Sequence, residues 1–372
     1  MMRIGFISTD NPYIVNNGGI GSYTRLLAEK LAQGGEDVHL FTLFRENTPK
    51  YLNGVKIHTI QHNKLRYMSI WEISYLFYIK FDEVDRQKRF DVLEAPEWIG
   101  QGCVISYEST VPIITRLHTP LFLIKNICEN QRIYWGDDYI VELEKKQCKN
   151  SSVITSPSIE LLDIVKGEVG VGGVFLPNGI NVNKYNISNT IGDYILFMGR
   201  LEYRKGITVL SEAMRQIFEE NKEIRLVLCG QDSLYRRKSM LSYLYQKCEK
   251  YKDRIVYFDY ADDNKKIELM NNANIVVLPS VWENCSYVAL EAMSLGKVVV
   301  CSDTGGFREM ISDQVEGFKF ESGNVQQLVD KIKDAMECNH SLIGMNARTK
   351  IRADYNIEIV TDKYKEIIKN LI

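Results

Sequence analysis

The chain has 372 residues, of which 45% are hydrophobic and 25% are charged, and its formal net charge is −2. This length predicts two domains, and this composition is typical of a globular protein rather than a disordered or fibrous one. Because neither half of the sequence is strongly basic, the charge argues against a nucleic-acid partner and against broad attraction to anionic membranes.

The cysteines and the apolar segments indicate a cytoplasmic protein. Eight cysteines occur without any Cys-x-x-Cys spacing, which favours buried, reduced thiols over disulfides or a zinc site. The N-terminus enters a strand pattern directly, so no signal peptide is expected. No uncharged apolar run reaches transmembrane length. The aromatic-rich segment Ile70–Phe81 carries Glu72 and Lys80, and we predict a core helix there rather than a membrane-contacting one.

Strand-like and helix-like patterns alternate along the first half, which predicts an α/β domain with a doubly wound parallel sheet. Strands are predicted at Arg3–Ser8, Val38–Leu43, Val92–Ala95, Pro112–Leu117, Val153–Thr155 and Val174–Leu176. Helices are predicted at Ile20–Gln33, Ile70–Arg89 and Ile124–Lys149. The turn Pro177-Asn178-Gly179 and the polar run Asn181–Asp193 end this half, so we predict a first domain over residues 1–180 and a linker over 181–193.

A second α/β set follows and predicts a domain over residues 194–354. Its strands are predicted at Tyr194–Met198, Arg225–Cys229, Ile255–Phe258, Ile275–Leu278 and Val298–Cys301. Its helices are predicted at Ile207–Glu220, Ser239–Tyr251, Lys265–Asn271, Val288–Leu295 and Val325–Glu337. An amphipathic helix, Ile357–Leu371, occupies the final segment 355–372. Two doubly wound domains of similar size predict a ligand cleft between them, at the carboxyl ends of the strands.

Two features of the first half are candidates for ligand contact. Gly19 and Gly21 lie in the run Gly-Gly-Ile-Gly that opens a predicted helix, where glycine permits a close backbone approach. The spacing does not fit a dinucleotide fingerprint, because Thr24 replaces the last glycine and ten residues separate the strand from Gly19. His118 follows a predicted strand, which favours a site role over a purely structural one.

Basic residues end the first strand of the second half. Arg200 follows Gly199 immediately, and Lys205 comes just before the next predicted helix. An arginine fork and a lysine charge at a strand's carboxyl end can bind a diphosphate and stabilise it as a leaving group. A solvated basic turn is the alternative. The phosphate site is favoured because the loop between Glu283 and Glu291 is predicted at the same edge of the sheet.

Two carboxylates eight positions apart follow the strand Ile275–Leu278. Glu283 is predicted in the loop, and Glu291 about one turn inside the helix that follows. Loop amides at a helix N-terminus suit an anion, and the two carboxylates can accept hydrogen bonds from sugar and ribose hydroxyls. This pattern predicts a sugar-nucleotide site. Further along, Gly305-Gly306 could bring backbone close to a ligand.

Several motifs are absent from the sequence. It contains no Asp-x-Asp, no Walker A motif, no G-x-S-x-G and no zinc spacing. His39, His58, His62 and His340 carry no metal-ligand spacing. We therefore expect neither a metal nor a bound cofactor.

The motifs taken together resemble the retaining glycosyltransferases of family 4, which have the two-domain GT-B fold. The resemblance spans nearly the whole chain and rests on GGIG at 18–21, RLHTP at 116–120, LPNGIN at 176–181, GRLEYRKG at 199–206, LVLCG at 226–230, LPSVWENCSYVALEAMSLGK at 278–297 and DTGGFREMI at 303–311. It implies two Rossmann-like doubly wound domains that face each other across a cleft, with the final helix returning to the first domain.

The resemblance also implies roles for individual residues. Arg200 and Lys205 would bind the donor diphosphate, Glu291 the ribose, and Glu283 the transferred sugar, while His118 would lie beside the reacting centre. The remaining donor contacts would come from Gly19, Gly21, Gly199, Gly230, Asn284, Cys285, Ser286, Tyr287 and Val288. Many relatives have glycine where this chain has Ser286, which is a departure among the donor-sugar contacts.

The implied reaction is metal-independent transfer of a sugar from a nucleoside-diphosphate sugar to a hydroxyl of a saccharide, lipid-linked or other acceptor, with retention of anomeric configuration. Synthesis of bacterial cell-surface polysaccharides or glycoconjugates is the implied setting, in the cytoplasm or at the inner face of the plasma membrane. A sugar-nucleotide 2-epimerase and a catalytically silent binding protein of the same architecture are the alternatives. The base, the sugar, the acceptor and the oligomeric state are left open. So is the route, which the resemblance implies to be a front-face reaction in which the leaving phosphate helps to deprotonate the acceptor, with a short-lived ion pair and a covalent intermediate as alternatives.

Overall fold

The computed structural model describes residues 1–13, 18–61, 69–128, 136–187 and 190–372. Within these residues the chain divides into two compact units. Unit 1 contains Met1–Gly179 together with Ile357–Ile372, and unit 2 contains Ile180–Asn356. Each unit is built around its own largely parallel sheet, as the alternation of strand and helix patterns predicts.

The sheet of unit 1 has the strand order β3-β4-β2-β1-β5-β6-β7-β8, and all neighbours are parallel except β3 and β4. Its strands are β1 (Arg3–Ser8), β2 (Asp37–Leu43), β3 (Tyr51–Leu52), β4 (Val55–Ile60), β5 (Val92–Pro96), β6 (Ile113–Arg116), β7 (Val153–Ser156) and β8 (Val174–Phe175). β1 lies in the middle of the sheet and is buried at every position. Its sequence therefore does not alternate between apolar and polar residues as a strand with one exposed face would.

Six helices of unit 1 connect these strands: α1 (Gly19–Gln33), α2 (Ile70–Asp85), α3 (Cys103–Glu108), α4 (Leu121–Ile127), α5 (Asp137–Asn150) and α6 (Ile159–Val169). The aromatic-rich helix α2 packs Phe77 and Phe81 into the core, as predicted, while Trp71 and Tyr75 are 44% and 41% exposed. None of the helices in the described part of the chain is long and apolar enough to cross a membrane.

Unit 2 has a six-stranded parallel sheet of order β13-β10-β9-β14-β15-β16 and a small hairpin formed by β11 and β12. Its strands are β9 (Tyr194–Met198), β10 (Arg225–Cys229), β11 (Leu234–Tyr235), β12 (Lys238–Ser239), β13 (Ile255–Phe258), β14 (Ile275–Leu278), β15 (Val299–Ser302) and β16 (Phe318–Phe320). Its α-helices are α7 (Ile207–Glu220), α8 (Met240–Lys247), α9 (Asp263–Asn271), α10 (Tyr287–Ser294), α11 (Phe307–Met310), α12 (Val325–Glu337) and α13 (His340–Lys350).

Both faces of the unit 2 sheet are covered by apolar layers. Along β9, Ile195 and Phe197 belong to one core cluster, and Leu196 and Met198 belong to the other. A strand buried on both faces needs apolar residues at every position, which is the pattern that its sequence shows. The C-terminal helix α14 (Ile357–Lys369) leaves unit 2 and packs within unit 1.

Two sequence predictions of this organisation need correction. The polar run Asn181–Asp193, predicted as a linker, belongs to unit 2 and is partly anchored there. Val182 is buried in a unit 2 core, and the Tyr185 carbonyl accepts a 2.7 Å hydrogen bond from Arg348. The helix predicted at Ile124–Lys149 is not a single element: α4 ends at Ile127, and α5 begins at Asp137 after Gly136, which adopts φ 89. Residues 129–135 of the predicted helix lie outside the described part.

Candidate functional site

Two strand ends in the middle of the unit 2 sheet carry the predicted diphosphate and sugar contacts. β9 lies between β10 and β14. The strands that follow β9 in sequence are added first on its β10 side and then on its β14 side, so the strand order reverses at β9. Arg200 follows β9 closely, and Glu283 lies in the loop after β14. Ligands of open α/β sheets bind beyond the strand carboxyl ends at such a switch point, so this edge is a candidate ligand site.

Lys205 and Glu283 form an ion pair at this edge. Lys205 ends a short 3-10 helix, and Ser280 donates a longer hydrogen bond, 3.5 Å, to the same Glu283 oxygen. The two loops are also joined through their main chains, since the Val281 amide donates to the Arg204 carbonyl over 2.8 Å. Because Glu283 is only 7% exposed, its charge depends on Lys205 for compensation.

Arg200 is much more accessible than Lys205. Its guanidinium lies 3.7 Å from Glu202, and its side chain is 61% exposed. Glu202 has a closer partner in Arg204, at 2.8 Å. Burial raises the pKa of Glu202, but the charges of Arg204, Arg200 and Lys205 outweigh burial and hold that pKa below its usual value. A rotation of the exposed Arg200 side chain can therefore present a cation to an anionic ligand.

The glycines at these strand ends allow the loops to pack closely. Gly199 and Gly230 both have φ 141, and a Cβ on Gly230 would lie 2.1 Å from the Gly199 carbonyl oxygen. Gly206 has φ 76, and its Cβ would lie 1.7 Å from the Pro279 carbonyl oxygen. These positions require glycine for local reasons, and contact between Gly199 or Gly230 and a donor stays a prediction.

The loop that carries Glu283 packs against Gly305 and Gly306. A Cβ on Gly305 would lie 1.8 Å from the Glu283 carbonyl oxygen, and a Cβ on Gly306 would lie 1.9 Å from that of Asn284. The Gly306 amide donates to the Glu283 carbonyl over 3.0 Å. Asn284 and Cys285 are buried. The close backbone approach predicted for Gly305-Gly306 is thus made to the Glu283 loop itself.

Ser286 ends this loop and begins a helix. Its hydroxyl accepts a 3.3 Å hydrogen bond from the Ala289 amide, which caps α10. Serine is among the best N-cap residues, so its presence where relatives have glycine has a local reason. Tyr287 and Val288 are half-buried in the first turn. The amides of this turn belong to a helix N-terminus, where an anion is stabilised.

Glu291 lies one turn inside α10 and pairs with Tyr185, which the sequence analysis missed. The Tyr185 hydroxyl donates a hydrogen bond to the Glu291 carboxylate. Burial, opposed by the positive charge of Lys266, raises the pKa of Glu291 to about 7. Tyr185 lies in the run predicted as a linker, and no motif in that run points to a site residue.

In unit 1, His118 lies just after β6 and is held by its main chain. Its amide donates a 2.7 Å hydrogen bond to Glu97, which is fully buried. Burial, with a smaller contribution from Arg116, holds the pKa of His118 well below its usual value, so the imidazole is neutral near pH 7. Burial likewise raises the pKa of Glu97 to about 7. Sequence reasoning missed Glu97 because it lies outside the recognised motifs.

A buried polar network connects His118 with helix α1. The Tyr23 ring meets His118 edge-on at 5.8 Å and carries the Arg116 guanidinium 4.2 Å above its centroid. The Tyr23 hydroxyl lies 3.2 Å from Glu94. Arg116 donates to the Leu176 carbonyl at 2.7 Å. These contacts fix the orientation of α1 within unit 1.

Gly19 and Gly21 lie at the start of α1. Gly18 is the N-cap residue and provides no side-chain hydrogen bond to the first turn. A Cβ on Gly18 or Gly19 would meet no atom within 4 Å, so packing among the described residues does not require glycine there. Ligand contact at Gly19 and Gly21 stays a prediction.

The described residues contain no group of three or more His, Cys, Asp or Glu side chains that could hold a metal ion. The unit 2 edge carries the Lys205–Glu283 ion pair and the exposed Arg200, and the Glu283 loop leads into α10, which holds Glu291 one turn inside it. Such an arrangement can bind a diphosphate and the hydroxyls attached to it.

Family comparisons match the two halves of the chain separately. Residues 17–184 match the model described as Glycosyltransferase Family 4, and residues 184–353 match the model described as Glycosyl transferases group 1. Among curated proteins, the D-inositol 3-phosphate glycosyltransferase of Paenarthrobacter aurescens is 22% identical over 98% of this chain and 96% of its own length.

Solved structures with the same fold cover the whole chain. The sucrose-phosphate synthase of Thermosynechococcus elongatus superposes with a TM-score of 0.84 at 20% identity, covering 100% of this chain and 99% of that one. The Anabaena protein HepE, solved in complex with UDP-glucose, superposes with a TM-score of 0.78 at 17% identity and covers 100% of both chains. These likenesses show the GT-B fold.

Proposed function

Because this chain belongs to the glycosyltransferases of family 4, we propose that it moves a sugar from a nucleoside-diphosphate sugar to a hydroxyl acceptor with retention of anomeric configuration. The observation that carries the proposal is the Lys205–Glu283 ion pair beside Arg200 at the switch point of the unit 2 sheet. It supplies a cation for a diphosphate and a carboxylate for sugar hydroxyls at one edge.

The proposed reaction breaks the bond between the sugar C1 and the diphosphate oxygen and forms a bond from C1 to the acceptor oxygen. Lys205, Arg200 and the first turn of α10 offset the charge that develops on the leaving diphosphate. The acceptor proton passes to the leaving phosphate on the same face of the sugar. Glu283 binds hydroxyls of the transferred sugar, which orients C1.

Other residues have supporting roles in this proposal. Glu291 accepts hydrogen bonds from the ribose hydroxyls, with Tyr185 fixing the orientation of its carboxylate. His118, neutral near pH 7, contacts the reacting sugar by hydrogen bonding rather than by charge. Unit 2 provides most of the donor contacts, and unit 1 provides most of the acceptor contacts. Synthesis of a cell-surface saccharide, at the cytoplasmic face of the membrane, is the proposed setting.

A panel of UDP-, GDP-, ADP- and dTDP-sugars tests the donor assignment. We expect one of them to raise the melting temperature and to be hydrolysed slowly without acceptor. Release of a C2 epimer in place of the original sugar would identify an epimerase. Stabilisation by a nucleotide sugar without hydrolysis and without transfer to any acceptor would favour a catalytically silent binding protein. The anomeric coupling constant of the transfer product, measured by NMR, tests retention.

We also propose that the transfer needs no metal ion. The proposal rests on the cations at the diphosphate position and on the absence of Asp-x-Asp from the sequence. Transfer should continue at an unchanged rate in excess EDTA. A rate that falls to background in EDTA and is restored by Mg²⁺ or Mn²⁺ would contradict it.

A further inference from the structure

The small hairpin of unit 2 has an unusual turn. β11 and β12 are joined by Arg236 and Arg237, with φ values of 48° and 63°. Two-residue hairpin turns of this kind favour Asn-Gly, because L-residues with a Cβ resist the left-handed conformation. Strained positions of this type concentrate at functional sites. The conformation of the turn therefore does not explain why arginine occupies both of its positions.

The base of the hairpin is firmly held, so its tip has a defined position. Asp232 accepts hydrogen bonds from the Ser239 hydroxyl at 2.6 Å and from the Leu241 amide at 2.9 Å. The Met240 amide donates to the Ser233 carbonyl over 3.1 Å. These bonds close the loop below the turn, and they involve neither arginine side chain.

The hairpin is attached to the segment that carries Lys205. The Ser233 amide donates to the Leu201 carbonyl over 3.0 Å. The Tyr235 ring stacks on Tyr203 with centroids 4.1 Å apart and an interplanar angle of 7°. Tyr203 begins the 3-10 helix that Lys205 ends. The strained turn thus lies one residue from a side chain packed on the proposed diphosphate segment.

The tip carries three successive exposed cations. Arg236, Arg237 and Lys238 are all exposed, and the Arg236 guanidinium lies 5.3 Å from the Tyr235 ring centroid. Within the described ranges, neither Arg237 nor Lys238 makes an ion pair with a carboxylate of the chain. Their charges are available to an external anion, and arginine forks match the oxygens of a phosphate group.

We propose that Arg237 and Lys238, on the turn that Arg236 opens, form a second anion site that binds a phosphate group carried by the acceptor. This inference rests on the proposed function, because it assigns the second substrate of the same reaction. The ligand chemistry is a phosphate monoester or diphosphate on a hydroxyl-bearing molecule. Its source is either a soluble sugar or polyol phosphate or a polyprenyl diphosphate-linked sugar.

The double variant Arg236→Asn/Arg237→Gly tests the proposal, because it removes two charges while giving the turn the residues that it prefers. We expect its melting temperature to rise by a few degrees while phosphate binding weakens at least tenfold. Arg236→Lys/Arg237→Lys is the charge-matched control and should bind within about threefold of wild type. Lys238→Ala, outside the strained pair, should weaken binding without altering the turn.

Binding is measured by calorimetry with the protein saturated by the nucleoside diphosphate that stabilises it, so that Lys205 and Arg200 are already occupied. One arm uses inositol 3-phosphate and glucose 1-phosphate. The other arm uses neutral phosphatidylcholine vesicles with and without a polyprenyl diphosphate sugar. Wild-type binding in either arm, lost in the Asn-Gly variant, supports the proposal and identifies the source.

Three outcomes would overturn it: no wild-type binding in either arm, equal binding by the Asn-Gly variant, or weaker binding accompanied by a lower melting temperature. Equal attraction to vesicles of phosphatidylglycerol without any acceptor would instead assign the tip to a membrane surface. Failure of the proposed function is distinguished by the nucleoside diphosphate itself, whose binding should be lost in Lys205→Ala and retained in the hairpin variants.

Discussion

The Lys205–Glu283 pair has two functions that can be separated. As a structural contact, it compensates a carboxylate that is 7% exposed. As the proposed donor contact, Lys205 stabilises the charge of the leaving diphosphate. Removing the lysine therefore affects stability as well as catalysis, because a buried carboxylate without its partner is costly.

Lys205→Ala should reduce kcat/KM by roughly 100-fold or more, about 3 kcal/mol of transition-state stabilisation, the scale of a lost oxyanion donor. It should also lower the melting temperature. The double variant Lys205→Ala/Glu283→Gln should recover that stability, since the remaining amide is neutral, and should stay inactive. Steady-state kinetics and thermal unfolding of both variants provide the measurement.

Arg200→Ala is the matched control for stability. Its side chain is 61% exposed and makes only a 3.7 Å contact with Glu202, so its removal should leave the melting temperature within error. Donor turnover should still fall. If Lys205→Ala retains activity within a few-fold of wild type, the diphosphate assignment is wrong.

The residues of the unit 2 edge were accessible to prediction because each follows a buried strand. Parallel strands end at one edge, so the order strand, loop and helix brings Lys205 and Glu283 together without knowledge of the contacts. Tyr185 and Glu97 could not be found in this way. Their partners, Glu291 and His118, are distant in sequence, and nothing local distinguishes their buried side chains from ordinary core residues.

At the scale of elements, the adjacent strands β2 and β4 hold two histidines against each other. His39 and His58 share a 2.8 Å hydrogen bond, and the other His39 nitrogen lies 3.0 Å from Asp37. Their rings stack, with centroids 5.1 Å apart. Burial lowers the pKa of each to about 4, against the ordinary value of 6.5.

This pair should make unit 1 sensitive to acid. The unfolded chain takes up protons at pH 6.5 while the folded sheet resists them to about pH 4. The free energy of unfolding is therefore unaffected by the two histidines above pH 6.5, and they lower it progressively as the pH falls from 6.5 toward 4. A shift of this size corresponds to on the order of 3 kcal/mol for one histidine.

His58→Gln tests this expectation by removing one titrating group. The difference in unfolding free energy between wild type and variant should be constant above pH 7 and should shift in favour of the variant between pH 6.5 and 4. Denaturant titrations at each pH supply the measurement. Glu94, Glu97 and Glu291, whose pKa values are raised to about 7, have the opposite effect on stability. Both proteins contain them, so their effect cancels when the variant is compared with wild type at the same pH. A pH-independent difference would contradict the lowered pKa of His58.

Most long elements were predictable, and the short ones were not. β9 and β14 have the predicted bounds because both of their faces are buried and their sequences are apolar throughout. β10 and β13 also have the predicted bounds, although β10 begins with the exposed Arg225 and β13 is half-buried after Ile255. β4 was missed because Lys56 and the two polar residues His58 and Thr59 interrupt its apolar pattern. The hairpin of β11 and β12 was missed because Arg-Arg is a poor turn sequence.

At the scale of the whole molecule, the units are not consecutive in sequence. Helix α14 is part of unit 1, where Tyr364 is fully buried and stacks on Phe6 with centroids 6.1 Å apart. Burial, with a smaller contribution from the charge of Glu94, raises the pKa of Tyr364 well above its usual value. Glu358 forms a 3.0 Å ion pair with Lys30 of α1. The periodicity of Ile357–Leu371 predicted the helix, whereas its packing partners could not be read from its own sequence.

Removal of Ile357–Ile372 should unfold unit 1 and leave unit 2 folded. Loss of buried Val360, Tyr364 and Ile368 removes roughly 1.5–3 kcal/mol each, a total comparable to the stability of a typical domain. Hydrogen exchange should show peptides of β1 and β5 losing protection, while peptides of β9 and β14 keep it. Deletion of Ile372 alone, which is 63% exposed, is the control. Unchanged exchange in β1 would contradict the expectation.

The position of α14 also sets an order of folding during synthesis. The strands of unit 1 leave the ribosome first, but the helix that covers Phe6 and Glu94 is made only after all of unit 2. Domains usually fold from the N-terminus as they emerge. Here unit 2 becomes complete once Asn356 has emerged, while unit 1 still has an uncovered apolar surface. A chain interrupted before α14 would therefore carry a folded unit 2 and an incomplete unit 1, and we expect chaperones and proteases to recognise it by that exposed surface.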